Sequence, residues 1–233
     1  MHTWGPQQSG PSVPTDPLFS NVSLLLHGDG PDGSSILVDS SQFAHTSSVT
    51  IGTPTITTTE KRFGAASLRI NANSEGWTIP TTALTLAAGE DCTIEFQFRP
   101  TTSVGSKAIL TSNWPGNATQ SISIGWNGSS ISARLASNTG VNTGNLTLDV
   151  WRHIALARAG AQLSIYVDGV LAATTAIASN ASSISSLFIG LANAAFGWGN
   201  GAMECFIDEL RITKGVARYT ANFTPPSAPF PDA

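Results

Sequence analysis

The chain has 233 residues, of which only 11% are charged, and its net charge at pH 7 is −4. This balance, with no run of Lys or Arg, excludes the basic surface that nucleic-acid-binding domains need. No apolar run approaches the roughly 18 residues of a membrane helix. Abundant Gly, Ser, Thr and Asn favour short strands and tight turns, so one large all-β domain is expected.

The N-terminal residues 1–17 form a Pro-, Gly- and Ser-rich stretch without hydrophobic periodicity. They lack the basic and apolar regions of a signal peptide, so synthesis in a cytoplasm is expected. Residues 18–233 are expected to form the folded domain, with a Pro-rich C-terminal tail. We interpret 1–17 as an extended arm that docks on a neighbouring protein, the alternatives being an arm held on its own domain and an unordered terminus. The candidate docking residues are Trp4, Pro6, Pro11 and Pro14.

Short segments of strand-like composition follow one another along the domain, separated by turn residues. Asn127-Gly128 and Asp168-Gly169 mark tight hairpins. No period of 20–50 residues repeats, so a β-sandwich or barrel is favoured over a propeller or solenoid. The predicted strands cover residues 22–26, 36–39, 47–51, 55–58, 62–70, 77–80, 92–100, 107–112, 120–126, 130–136, 151–158, 162–167, 170–175, 184–190 and 203–213.

Alternation within these segments predicts which side chains face the core. In the 92–100 segment, Ile94, Phe96 and Phe98 are expected inside. In the 151–158 segment, Ile154 and Leu156 lie opposite Trp151, His153, Ala155 and Ala157. Trp77 and Trp151 are both expected in the core.

The segment 203–213 is the expected closing strand, and its strict alternation divides the side chains into two sets. Phe206, Asp208, Leu210 and Ile212 are predicted to share one face. Cys205, Ile207, Glu209, Arg211 and Thr213 are predicted to share the other. Residues 216–219 are compatible with one helical turn. The acidic pair Asp208 and Glu209 needs partners or a metal among these apolar neighbours.

Several motifs in order carry a resemblance to a known family: DPLFSNVSLLLHGDG, RFGAASLRI, CTIEFQFRP, WRHIALAR, YVDGV and IDELRITKGVARYTANFTPPSAPFPD. Together they resemble the concanavalin A-like, laminin-G-like jelly rolls of bacteriophage virion proteins over residues 17–231. Cys92 departs from that pattern, in which Phe is more usual. The resemblance implies a two-sheet antiparallel jelly roll in a virion, as a tail, neck or capsid-decoration protein. It also implies binding to capsid or tail subunits or to a glycan.

The resemblance also implies a structural Ca²⁺ that ties an early loop to the closing strand. Calcium takes hard oxygen ligands, and the matching carboxylates are Asp29, Asp39 and Asp208. The alternative is that Asp29 and Asp39 form Asx-type hydrogen bonds in turns and that Asp208 pairs with an Arg. No His or Cys pattern suggests another metal.

Catalysis is not expected, and no residue is assigned a catalytic role. Glucanases of this fold class place two acids about 5–9 Å apart, and their signature is alternating acids on one strand. Here Asp208 and Glu209 are adjacent and Glu95 is isolated. His27 is expected in a loop and His153 in a hydrogen bond near the core, and no nucleophile elbow is present.

Two Gly-flanked loops combine Trp with Asn, the residue types that stack on and hydrogen-bond to sugars. The glycan-binding candidates are Asn113, Trp114, Asn117, Trp198 and Asn200. The alternative is that each Trp folds back as a lid over the sandwich.

The leading hypothesis for the function is a non-enzymatic virion protein. The alternative is a lectin-like adhesin that binds host polysaccharide. A glycoside hydrolase is a distant third hypothesis.

Two cysteines, Cys92 and Cys205, are too few for a disulfide framework. They are expected to be buried free thiols, although both begin strand-like runs that could be neighbours in one sheet. Oligomeric state is left open.

Overall fold

The computed structural model describes residues 15–71, 75–103, 106–112, 122–136, 139–178, 181–191 and 204–233. These residues form one short 3-10 helix, Phe19–Asn21, and fifteen strands. In chain order the strands are β1 (Val22–Leu26), β2 (Ser48–Ile51), β3 (Thr55–Thr57), β4 (Ser67–Ile70), β5 (Gly76–Pro80), β6 (Cys92–Pro100), β7 (Lys107–Ser112), β8 (Ile122–Trp126), β9 (Ile131–Leu135), β10 (Gly140–Asn142), β11 (Arg152–Ala159), β12 (Gln162–Val167), β13 (Val170–Ala176), β14 (Ser186–Ile189) and β15 (Cys205–Lys214).

The strands build two sheets, and every strand pair is antiparallel. The eight-stranded sheet has the order β13-β12-β11-β6-β15-β4-β3, with β1 also pairing with β15. The seven-stranded sheet has the order β10-β9-β8-β7-β14-β5-β2. The predicted all-β, two-sheet jelly-roll sandwich is therefore confirmed. No helix in the described part of the chain is both long enough and apolar enough to cross a membrane.

The core lies between the sheets and follows from side-chain alternation. Ile94, Phe96 and Phe98 of β6 are all at most 1% exposed and belong to the main hydrophobic cluster, as predicted. Ile154 and Leu156 of β11 join them. Burial of such apolar side chains stabilises the fold by roughly 1.5–3 kcal/mol each.

Several local predictions were wrong. Residues 36–39 form no strand, and of the 62–70 segment only Ser67–Ile70 is one. The three-residue strand β10 was missed, and residues 216–219 form no helical turn. Trp77 is fully buried as predicted, but Trp151 is half-buried outside the main core, with its ring 6.4 Å from that of Phe206.

The closing strand β15 does not alternate strictly, because its register shifts between Asp208 and Arg211. Glu209 sits at the shift with a φ of +51°, a left-handed conformation rare for non-glycine residues. Ile207 and Leu210 both belong to the core cluster. The predicted sharing of faces along 203–213 therefore holds up to Asp208 and is inverted beyond it.

Both cysteines are buried free thiols, as predicted. They lie in adjacent strands of the eight-stranded sheet, but Cys92 pairs with Lys214 and Cys205 with Pro100. The two thiols thus sit at opposite ends of the β6–β15 ladder, which keeps them from pairing.

Candidate functional site

The outer face of the seven-stranded sheet carries a row of mostly polar residues with one aromatic member, Phe188. Cross-strand pairing places them side by side in the order Gly140, Arg134, Ser123, Thr111, Phe188, Thr78 and Ser48. The next row, which contains Ile124, Leu110 and Ile189, belongs to the core cluster. Because side chains alternate along a strand, the side chains of this row point away from the core between the sheets.

The two chain segments that carry the predicted sugar-binding loops start close to this row. The hydroxyl of Thr111 donates to the carbonyl oxygen of Leu191 at 2.8 Å. Thr111 directly precedes Ser112, where β7 ends and the 113–121 segment begins; Leu191 is the residue before the 192–203 segment. The backbone N–H of Ile122 donates to the Ser112 hydroxyl at 2.9 Å, which ties the two ends of the first loop together. The two segments therefore start from neighbouring points on one face.

The candidate residues Asn113, Trp114, Asn117, Trp198 and Asn200 lie outside the described residues, so their contacts stay predictions. The same holds for the arm residues Trp4, Pro6, Pro11 and Pro14. What the structure supplies is the place from which the two loops depart. Two strands from Thr111 in the same row, Arg134 is half-buried and forms no ion pair with any other described residue.

The three predicted metal ligands are engaged separately. Asp39 accepts hydrogen bonds from the backbone N–H groups of Leu25, Ser41 and His45, and its carboxylate also contacts the His45 ring at 2.9 Å. The Asx-type alternative is thus confirmed for Asp39, through its bond to residue Ser41.

Asp29 and Asp208 both bind the loop before β4. Asp29 accepts from the backbone N–H groups of Ala65 and Ala66, and Asp208 from those of Arg62 and Phe63. The alternative, that Asp208 pairs with an Arg side chain, is wrong within the described residues. Burial raises the pKa of Asp208 to about 7, although the two backbone donors lower it.

No group of three Asp, Glu, His or Cys side chains suited to a metal occurs in the described part of the chain. Asp29, Asp39 and Asp208 therefore do not form a shared set of ligands there. Calcium binding stays a prediction that rests on the family resemblance.

The outer face of the eight-stranded sheet holds a buried network centred on Glu95, which the sequence presented as isolated. Its carboxylate accepts from Arg211 at 2.9 and 3.0 Å and from the Tyr219 hydroxyl at 2.8 Å, and it lies 3.2 Å from the His153 ring. Burial alone would raise the pKa of Glu95, but His153 and Arg211 hold it below its ordinary value. The expected hydrogen bond of His153 is confirmed.

The network continues to the start of the described chain. Asp16 accepts from Arg211 at 3.0 Å and from Arg218 at 2.6 and 3.0 Å. Burial alone would raise the pKa of Asp16, but Arg218 and the backbone N–H of Leu18 hold it low. Asp16 thus belongs to the folded part of the chain, although it lies within the 1–17 stretch assigned to the arm.

The acidic neighbour of Asp208 has its own partners. The Glu209 carboxylate lies 2.9 Å from the His27 ring and accepts from the backbone N–H of Phe230 at 2.9 Å. The other His27 nitrogen lies 2.6 Å from Asp232. His27 is therefore part of the clamp that holds the C-terminal tail, in addition to following β1 in a loop as predicted.

The sequence did not predict that Tyr219 and Phe223 cover the outer face of this sheet, an arrangement we call the aromatic cover. Tyr219 and Phe223 stack with centroids 3.5 Å apart, and both contact Tyr166 and His153. The sequence signal for this segment was its prolines, at 225 and 226, which excluded the tail from a central strand but did not predict where it packs.

Comparison with known families agrees with the architecture. The sequence profile of the concanavalin A-like lectin/glucanases superfamily, in its laminin-G-like branch, matches residues 71–218. These residues are more than half of the chain, so this two-sheet jelly roll belongs to that superfamily. A search of curated protein sequences found no significant match.

Similar solved structures include several binding domains of bacterial toxins. The binding domain of Paraclostridial Mosquitocidal Protein 1 aligns with a TM-score of 0.69 and 16% identity, over 87% of this chain and 50% of that one. The botulinum neurotoxin serotype G binding domain aligns with a TM-score of 0.62 and 15% identity, over 85% and 49%. The botulinum neurotoxin DC binding domain, solved in complex with SialylT, aligns with a TM-score of 0.64 and 13% identity, over 84% and 48%. These identities establish a shared fold, and the chain spans about half the length of each neighbour.

Proposed function

We propose that this jelly roll is a non-enzymatic binding domain that recognises a glycan with the predicted loops 113–117 and 196–200. The observation that carries the proposal is the hydrogen bond from Thr111 to Leu191, because it joins the starting points of both loops. Sugar sites combine aromatic faces with amides and hydroxyls, and each loop contributes Trp and Asn. Several structural neighbours are toxin binding domains, one of them solved with SialylT, which favours a binding role for the fold.

The buried carboxylates favour binding over hydrolysis. Glu95 has a fully buried side chain held by Arg211, His153 and Tyr219, so a substrate would have to break this network to reach it. Glu209 is equally enclosed, at 1% exposure. A glycosidase needs an acid and a second carboxylate that both reach the scissile bond.

The test is binding of polysaccharide extracted from candidate host cells to the purified protein and to the double variant Trp114→Ala/Trp198→Ala. We expect the double variant to lose at least about tenfold in affinity, equivalent to about 1.4 kcal/mol. Phe43→Ala is the matched control, because it removes an aromatic side chain that is 49% exposed and belongs to neither loop. Equal binding by the double variant and the control would refute the assignment of the loops.

We further propose, from the motif resemblance, that the domain is carried on a bacteriophage particle as a tail, neck or capsid appendage. The proposed attachment segment is the N-terminal arm, with capsid or tail subunits as its partners. The ion pairs of Asp16 with Arg211 and Arg218 support a fixed point of departure for this arm. A deletion should therefore stop at residue 14, so that Asp16 is kept.

The deletion of residues 1–14 is expected to leave the domain folded and to abolish incorporation into particles, measured by co-sedimentation with assembled virions. A variant with residues 1–14 in scrambled order controls for length and composition. Incorporation of the deletion variant at the normal level would contradict an attachment role for the arm.

The calcium proposal is tested by thermal unfolding with added Ca²⁺ and with a chelator. Binding to the native state alone raises the unfolding temperature in proportion to the logarithm of ligand concentration. An identical unfolding temperature in both conditions would contradict calcium binding by the native domain.

A further inference from the structure

We propose that an open cleft on the outer face of the eight-stranded sheet is a second saccharide site and that it selects neutral sugars. The cleft has a volume of about 360 Å³, within the range of roughly 300–1,000 Å³ that is usual for small-molecule sites. The two Trp-bearing segments follow strands β7 and β14, which belong to the other, seven-stranded sheet. The proposal therefore goes beyond the loop site and does not depend on it.

Small side chains create the cleft. Ala157 and Ala159 of β11 line it, and their cross-strand partners on β12 are Ser164 and Gln162. Larger residues at these positions would fill the space, as Tyr166 does in the adjacent row opposite Ala155. The small side chains therefore leave a depression in the sheet surface next to the aromatic cover, Tyr219 and Phe223.

Tyr219 forms a fixed aromatic wall of the cleft. Its ring stacks on Phe223 at 3.5 Å with an interplanar angle of 7°, and its hydroxyl donates to Glu95 at 2.8 Å. One ring face and the hydroxyl are therefore committed, while the residue still lines the cleft. A ring held in this way does not have to be ordered when a ligand arrives, which lowers the entropic cost of binding.

The polar groups of the cleft suit sugar hydroxyls. The Ser164 hydroxyl donates to that of Thr174 at 3.0 Å, and Thr174 makes two longer contacts, 3.3 Å to the Leu163 carbonyl and 3.5 Å to the Gln162 amide oxygen. Hydroxyls can both donate and accept, so they can exchange these weak contacts for bonds to a ligand.

The lining also determines the class of sugar. All the residues that line the cleft are uncharged: Ala157, Ala159, Gln162, Ser164, Tyr166, Leu171, Thr174, Tyr219 and Thr220. A carboxylate or sulfate placed there would lose water without gaining a counter-ion, which is costly. A neutral pyranose instead offers C–H faces to Tyr219 and hydroxyls to Ser164 and Thr174.

The test is saturation-transfer NMR and titration calorimetry with lactose as the neutral probe and 3′-sialyllactose as its acidic counterpart. The blocking variant is Ala159→Trp, which adds volume at a half-buried position on the cleft. We expect lactose to bind the unmodified protein and its affinity to fall at least about tenfold in this variant. Val170→Ala, on an exposed hairpin residue that does not line the cleft, should leave binding unchanged.

A second variant keeps the test valid if Ala159→Trp does not fold. Thr174→Val preserves shape and removes one hydroxyl, and it should weaken lactose binding about three- to tenfold, the usual effect of one lost hydrogen bond. Lactose binding that is unaffected by both variants, no binding of lactose, or a preference for sialyllactose would overturn the proposal. Trp114→Ala/Trp198→Ala should leave this binding intact, so failure of the loop site and failure of the cleft are distinguishable.

Discussion

Arg211 is the cation on which the outer-face network depends, and Arg211→Met tests that dependence. The guanidinium bonds both Glu95 and Asp16 and lies over the Phe230 ring at 3.7 Å. The side chains of Arg211, Glu95 and Asp16 are 6%, 0% and 4% exposed. Methionine keeps most of the volume, and among the described residues it leaves Glu95 with hydrogen bonds to His153 and Tyr219 alone. The remaining cation near Glu95 is then Arg218, at 3.8 Å.

Removing one partner of a buried ion pair typically costs about 3–5 kcal/mol, because the remaining charge is stranded away from water. For a domain of this size each kcal/mol lowers the unfolding temperature by about 2–4 °C, so a drop of about 6–20 °C is expected. The matched control is Arg69→Met, since the Arg69–Glu204 pair has the same chemistry with side chains 38% and 30% exposed. Exposed pairs contribute about 0–1 kcal/mol.

Urea unfolding followed by tryptophan fluorescence measures both variants against the unmodified protein. Adding Glu95→Gln to Arg211→Met should recover part of the loss, because it removes the stranded charge. Equal free energies of unfolding for Arg211→Met and Arg69→Met would refute the reasoning.

The remaining predictions concern the tail clamp, the thiols and one turn. Burial alone would lower the pKa of His27, but Glu209 and Asp232 raise it to about 9 from 6.5, so its stabilising contribution is complete below pH 6.5 and lost as the pH rises through 9. His27→Gln should flatten the free energy of unfolding over that pH window, and an unchanged slope would contradict the clamp. Burial raises the pKa of Cys92 to about 12 and that of Cys205 above its ordinary value, so a thiol reagent should label neither in the native state and both in urea. Gly169→Ala should destabilise the domain, because Gly169 has a φ of +78° and a Cβ there would collide with the Phe223 carbonyl. Gly144→Ala is the control, since Gly144 has a similar φ but open space around it. The difference in free energy of unfolding between the two variants measures the cost of the collision apart from that of the backbone strain.

Much of the fold was predictable because its signals are local. The predicted strand at 162–167 coincides with β12, since Asp168-Gly169 fixes where the hairpin turns. The clean alternation of β6 placed Phe96 and Phe98 in the core. Composition and alternation depend only on residues that are close together in the sequence, so they can be recognised without the structure.

The misses are long-range effects. Nothing in the sequence around Glu209 announces a bulge, which is stabilised by contacts to His27 and the Phe230 backbone that are far away along the chain. The covering of Glu95 by Tyr219 depends in the same way on where the tail returns. Of the candidate site, composition predicted the two loops, whereas the proximity of their starting points, joined by the Thr111–Leu191 hydrogen bond, required the structure.

The central claim, a binding domain without hydrolytic activity, is tested most directly by one sample carrying both readouts. Purified protein is titrated with host polysaccharide while binding and the release of new reducing ends are measured together. The account predicts saturable binding, reduced by Trp114→Ala/Trp198→Ala, with no new reducing ends over a prolonged incubation. Absence of binding by the folded protein, or reducing ends that accumulate with time, would contradict it.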